Sequence, residues 1–159
     1  MKLTRNLYIP FIDVNRGVGE YHWVPVDLST SFEFGYNPNS EDYDYICYKN
    51  SFSEITSYAP EMSQEIVLDS SNPIYRFIDQ FANEFPVGNN ATVPLMVVRP
   101  DVETGVPTIA QVWDSATIEM DNLNTVDGKY SFKFKFNGDV QNGTITGVGT
   151  DAVTFIPAE

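Results

Sequence analysis

The chain has 159 residues, of which 42% are hydrophobic and 19% charged, a balance that excludes an intrinsically disordered polypeptide. That length is about one domain, and such a domain buries about 70% of its unfolded surface. Nine basic residues stand against 22 acidic ones, a net charge of −13; affinity for nucleic acid comes from Lys and Arg neutralising phosphates, so a DNA- or RNA-gripping role is excluded.

The carboxylates can serve solubility, and they can repel DNA that passes close by. Aromatic residues make up 14% of the chain, an enrichment that favours strands and interfaces over a plain helical bundle. Cys47 is the single cysteine, so no intrachain disulfide is expected; it reads as a small buried hydrophobe. Residues 1–5 lead into no apolar run of signal-peptide length, and no stretch reaches the roughly 18 apolar residues of a membrane span. The expectation is a cytosolic product with no membrane insertion. Asn90-Ala91-Thr92 and Asn142-Gly143-Thr144 match the glycosylation pattern by chance on that expectation.

In chain order, residues 1–20 read as an irregular N-terminal arm. Residues 21–26, with Trp23, Val24 and Val26, read as a strand, and so does 31–36, where Phe32 and Phe34 alternate with polar neighbours. The segment 37–60 is rich in Tyr, Asp, Asn and Ser and reads as a long excursion, with a strand-like alternation of Tyr43, Tyr45 and Cys47 inside it. Residues 62–68 form the next predicted strand. Asn72 suits an N-cap and Pro73 the first helical position, and Ile74, Phe77, Ile78, Phe81 and Phe85 recur at helical spacing until Pro86 and Gly88 stop the helix. This stripe is expected to cover an open end or face of a sheet.

Val93, Leu95 and Val97 make another strand, which Pro94 demotes to an edge or shifts in its start. The last third reads as a meander of strands at 116–121, 130–137, 144–148 and 153–156. Ala116, Ile118 and Met120 point inward on the first of these. Asp127-Gly128 is a hairpin signal, and Thr150-Asp151 turns the chain into its last strand. The clearest alternation is Tyr130, Phe132, Phe134 and Phe136 against Ser131, Lys133, Lys135 and Asn137.

No catalytic, cofactor or metal site is expected. His22, the single histidine, falls in a predicted strand between Tyr21 and Trp23 with no second His or Cys for zinc and no Gly-x-Ser-x-Gly nucleophile pattern. No Gly-rich phosphate loop occurs. Glu41-Asp42-Tyr43-Asp44 is the densest carboxylate cluster; it lacks the spacing of a calcium loop and reads as a solvated loop or an interface patch. Asp101, Glu103, Asp114, Glu119, Asp121 and Asp127 follow one another with no Lys or Arg between them. Thr117, Glu119 and Asp121 share the polar face of one strand, and like charges in a row on a sheet should face water or an aqueous channel.

Four stretches, in order, resemble the tail tube (major tail) proteins of long non-contractile phage tails. They are Ser31 to Ile46, where Gly35-Tyr36-Asn37-Pro38 leads into Glu41-Asp42-Tyr43-Asp44-Tyr45-Ile46; Ser57-Tyr58-Ala59-Pro60-Glu61-Met62 with Ile66-Val67-Leu68; Asn72-Pro73-Ile74-Tyr75-Arg76-Phe77-Ile78; and Phe134-Lys135-Phe136-Asn137-Gly138-Asp139 with Gly143-Thr144. Residues 1–20 and the loop 101–107 depart from the pattern. The resemblance implies one tail tube domain over 1–159, a mainly β, antiparallel β-sandwich or barrel with one flanking α-helix. It implies a viral structural protein of the virion tail, assembled in the bacterial host cytoplasm into stacked homohexameric rings. DNA would pass through without specific binding. The partners would be other copies of the chain and further tail proteins: tape measure, tail terminator and distal tail. On this reading the inter-ring loop is 37–60, with Glu41, Asp42, Tyr43, Asp44, Tyr45, Tyr48 and Tyr58 as contact candidates. The lumen candidates are Thr117, Glu119, Asp121, Ser131, Lys133 and Lys135. The rival reading is a monomeric β-sandwich module that binds carbohydrate or protein through Tyr43, Tyr45, Tyr48 and Tyr58; a third is an enzyme with dispersed acids.

Overall fold

A computed structural model describes residues 2–27, 29, 32–150 and 152–159. The strands are β1 (Ile9–Asp13), β2 (Trp23–Pro25), β3 (Phe34–Gly35), β4 (Pro38–Tyr43), β5 (Phe52–Tyr58) and β6 (Glu61–Val67). After the helix α1 (Pro73–Asn83) come β7 (Thr92–Pro100), β8 (Pro107–Asn124), β9 (Lys129–Lys135), β10 (Gln141–Thr146) and β11 (Thr154–Pro157). Every pairing between these strands is antiparallel. The main sheet runs β2-β1-β7-β8-β9-β6-β3, with β10 and β11 added on β8, and β4-β5 form a separate hairpin.

β8 is where the sheet divides into layers. β7 runs along one side of it from Pro107 to Thr117, while the other side takes β10 at 109–112 and then β9 at 117–124. Between the layers lie two apolar clusters, and β7 feeds both. Val93, Leu95 and Val97 enter one with Ile118, Phe132, Phe134 and the helix; Met96 and Val98 enter the other with Phe11, Trp23, Ala110 and Ile145. The result is a mainly antiparallel β-sandwich with one flanking helix, as the resemblance implies.

The helix forms where its caps dictate. The Asn72 side-chain oxygen accepts from the backbone N–H of Ile74 at 2.8 Å and of Tyr75 at 3.3 Å, and Pro73 occupies the first turn. Ile74, Ile78 and Phe81 are buried on the sheet and Phe77 is partly buried. Phe85, read as the last member of this stripe, is not on it. The helix ends at Asn83, and Phe85 takes a left-handed φ of 48° and is 85% exposed.

Several elements differ from the sequence reading. Within the presumed arm, β1 lies between β2 and β7, and Phe11 and Ile12 are core residues. Pro94 does not mark an edge: β7 lies between β1 and β8, and the register slips between Val93 and Leu95, which absorbs the missing N–H. The strand read at 116–121 is the second half of the 18-residue β8. The last four strands are not a simple meander, because β10 returns to β8 rather than to β9. Gly143 permits the pairing with β11, since a Cβ there would collide with the Ile156 carbonyl and the Phe155 ring. The strand read at 31–36 reduces to Phe34–Gly35, with Ser31 outside the described residues; Asp151 of the expected last turn also lies outside them. Trp23–Pro25 is shorter than the strand read at 21–26.

Candidate functional site

Two surfaces stand out, and alternation creates the first. On β9, Tyr130, Phe132 and Phe134 are buried, so Ser131, Lys133 and Lys135 face outward. On β6, Met62, Gln64 and Ile66 are buried, leaving Glu61, Ser63 and Glu65 outward. On β8, Ile118 and Met120 turn inward, leaving Thr117 and Glu119 outward. The sheet thus carries α1 and the core on one face and a polar face on the other.

Register sets the charges of that face into a lattice. Lys135 lies between Glu61 and Thr117, Lys133 between Ser63 and Glu119, and Ser131 between Glu65 and Asn122. Each lysine reaches a carboxylate diagonally, as cross-strand geometry allows. Lys135 meets Glu119 at 3.0 Å, Lys133 meets Glu61 at 3.8 Å and Lys129 meets Glu65 at 3.5 Å. Asp121 occupies a bulge between Met120 and Asn122, outside these pairs. It lines a shallow cleft of about 440 Å³ together with Ser63, Glu65, Glu119, Ser131 and Lys133. Glu61, Glu65, Glu119 and Asp121 set against Lys129, Lys133 and Lys135 leave one net negative charge on this face. The structure therefore brings together all the residues predicted for a lumen, with their lysines already engaged.

The second surface is the hairpin β4-β5. Asn37, at a left-handed φ of 46° that Asn tolerates, turns the chain out of the sheet. Its carbonyl accepts from the Ala59 N–H and its side-chain amide donates to the Ala59 carbonyl, both at 3.2 Å, which closes the hairpin base. No residue of β4 or β5 is buried. The alternation read through Tyr43, Tyr45 and Cys47 is not a continuous strand: Tyr43 ends β4, and the chain turns at Ile46-Cys47. Cys47 is accordingly exposed at the tip, not a buried hydrophobe. Tyr43 and Tyr45 stack with ring centroids 5.9 Å apart, and Tyr48 meets Phe52 edge-on at 4.8 Å. Ile46 stands fully out of this knot and Ile55 is 55% exposed. Glu41, Asp42 and Asp44 flank the same tip; the Tyr43 hydroxyl donates to Glu41 at 2.8 Å, and that bond raises the Tyr43 pKa. Tyr58 belongs to the base instead, 6.5 Å from Tyr36.

No family model and no curated protein matches this sequence. Solved structures do. The tube-terminating cap of the anti-feeding prophage superposes with a TM-score of 0.53 at 11% identity, over 91% of this chain and 92% of that one. A sheath/tube terminator of the PVC extracellular contractile injection system, in its extended state, gives 0.54 at 7% identity over 89% and 96%. A chain of the PVC sheath–tube complex gives 0.51 at 7% identity over 90% and 92%. The chain has the fold of phage-tail-like particle components. The likeness spans nearly the whole length of each protein, and at these identities it is a likeness of fold.

Two positions escaped the sequence reading. Asp13 is buried, and its carboxylate accepts backbone N–H groups from Asn15 at 3.0 Å, Gly17 at 2.8 Å and His22 at 2.9 Å, so it organises the loop after β1. His22 itself is exposed just before β2, not within a strand. Arg16 then ties that loop to the helix end, through Glu84 at 3.0 Å and the Asn90 carbonyl at 2.6 Å. The run Asp13-Val14-Asn15-Arg16-Gly17 was the available signal for such a turn. Among the described residues no three His, Cys, Asp or Glu side chains converge as metal ligands, and no helix is long and apolar enough to cross a membrane.

Proposed function

We propose that this chain is a tube subunit of a phage or phage-like tail, self-assembling into stacked hexameric rings. The hairpin is the observation that carries the reading. A two-stranded ribbon is marginal in water on its own, and this one displays Ile46, Ile55, Tyr45, Tyr48 and Phe52 at about half exposure or more. Such a surface fits burial against another molecule. The aromatic side chains at the tip stack on one another rather than line a groove, which disfavours the monomeric carbohydrate- or protein-binding module. In the ring, Glu41, Asp42, Tyr43, Asp44, Tyr45, Tyr48 and Tyr58 contact the next ring. Thr117, Glu119, Asp121, Ser131, Lys133 and Lys135 line the bore.

The bore residues suit a conduit by a mechanism that composition alone did not suggest. Lysines held by carboxylates are poor partners for phosphate, because binding would require breaking the pair. The lining repels DNA only weakly, through Asp121, and chiefly offers it nothing to grip. The role is structural rather than catalytic, within a particle tail that also contains tape measure, terminator and distal-tail proteins. The sequence resemblance favours a non-contractile tail, and a tube subunit fits that context as well as a sheathed one.

A second reading, a tube-terminating cap, is favoured by the likeness to two such proteins. Negative-stain electron microscopy of the concentrated protein, with light scattering on the same sample, separates the readings. Hollow tubes of many rings are the expected result. Single rings that do not stack support the cap. A monomer at every concentration and salt overturns both.

A further inference from the structure

The hairpin needs a receiving surface, and the molecule has one of complementary character. Residues 37–60 carry Glu41, Asp42, Asp44 and Glu54 against Lys49 alone. The segment 2–8 carries Lys2 and Arg5 and no carboxylate, in a chain with only nine basic residues. Elsewhere among the described residues, Lys129, Lys133, Lys135 and Arg16 sit in ion pairs. Arg76 donates to the carbonyls of Ser70 and Ser71, and Arg99 stacks on Phe34. Lys2 and Arg5 are both exposed, and neither forms an ion pair among the described residues.

Arg5 and Asp27 line a largely apolar cleft of about 740 Å³ together with Tyr8, Pro10, Pro25, Phe32 and Val148. Tyr8 and Phe32 form its floor, with ring centroids 5.5 Å apart. The cleft lies between the two core clusters, since Phe32 packs on one and Val148 on the other. Its walls therefore pack on the core while its mouth is open.

We infer that this cleft receives the hairpin tip of a second copy, with Ile46 and its neighbouring tyrosines entering the apolar walls and Asp42 and Asp44 meeting Arg5 and Lys2. The inference rests on the tube reading and adds to it the surface that the hairpin meets. Charge complementarity favours this cleft, where Arg5 and nearby Lys2 outnumber Asp27, over the exposed apolar surface around Phe85, Val87 and Leu123, whose lining holds Glu119 and Asp121 and no Lys or Arg.

Cys47 is the single thiol and lies at the tip, so it can report the contact directly. The native full chain is labelled there with a maleimide photo-crosslinker, irradiated, and the linked peptides are identified by mass spectrometry from a mixture of isotopically light and heavy protein. Links between light and heavy copies that join Cys47 to residues 4–10, 25–27, 29, 32 or 148–149 are expected. Intermolecular links concentrated at 85–88 and 118–123 would overturn the cleft assignment and leave the tube reading intact. Absence of any intermolecular link would overturn both. A charge swap supplies the second test. Lys2→Glu with Arg5→Glu raises the concentration needed for assembly at least about tenfold, and adding Asp42→Lys with Asp44→Lys restores it. Unchanged assembly of the Lys2→Glu/Arg5→Glu protein would overturn the proposal.

Discussion

The layer β6-β9-β8 and the hairpin β4-β5 use the same residue types to opposite ends. Both are antiparallel and both mix large apolar with polar side chains, although only the layer alternates them strictly. In the layer, α1 covers one face, so Phe132 and Phe134 vanish from solvent and every charged neighbour is left on the other face. In the hairpin nothing covers either face, and Phe52, Ile55 and Tyr58 remain about half exposed. Residue type alone thus says that a ribbon carries apolar side chains. Only the presence of a covering element in the same chain says whether the apolar face is a core or an interface.

The sharpest way to break this comparison is to truncate an aromatic residue in each region. Phe132→Ala in the layer should cost about 3–5 kcal/mol of unfolding free energy, read by urea denaturation, because it leaves a cavity under the helix. A loss below about 1 kcal/mol would mean that the layer is not the core. The helix cover itself is sharpened by Asn72→Ala, which leaves the N–H groups of Ile74 and Tyr75 without their acceptor. A loss of about 1 kcal/mol is expected in the same assay.

A pH titration probes the same junction. Burial, and then the charge of Asp79, raise the Tyr130 hydroxyl above its ordinary 10.0. The folded protein holds this proton more tightly than the unfolded chain does. Its contribution is therefore complete below the unfolded pKa, and it declines as the pH rises past about 10 and through the folded value. Tyr130→Phe should flatten that alkaline decline, and a decline of unchanged size would assign it elsewhere.

The ion pairs of the polar face should matter least to stability. Lys135 and Glu119 are each nearly half exposed, so Lys135→Ala should shift the unfolding free energy by no more than about 0.5 kcal/mol. In the hairpin, Ile46→Asp should also leave monomer stability within about 0.5 kcal/mol, because the side chain touches no core. Assembly, followed by light scattering, should nevertheless be lost. A destabilised Ile46→Asp monomer would show that the tip packs on its own molecule.

Sequence legibility followed the same division. The period-two run Tyr130–Phe136 and the capped helix at Asn72-Pro73 were readable because local chemistry dictates them. The polar face was readable for the same reason, although the Asp121 bulge was not. The pairing of Lys133 with Glu61 depends on a third strand, β6, whose register is set by long-range packing, whereas Lys135 pairs with Glu119 on the adjacent β8. β1 was missed because Pro10 and the Gly-rich stretch after it mask a five-residue strand that only β2 and β7 complete. Pro94 misled because a bulge, a tertiary accommodation, makes a proline tolerable inside a sheet. The alternation through Tyr43, Tyr45 and Cys47 misled because a hairpin tip with stacked rings keeps the same spacing as a strand.

A cryo-electron microscopy reconstruction of the assembled particle tests the central claim most directly. It should show closed rings with Glu119, Lys133 and Lys135 on the bore wall, α1 away from it, and each hairpin tip seated on a neighbouring copy. Rings with α1 on the bore, or with the hairpins free in solvent, would contradict the account.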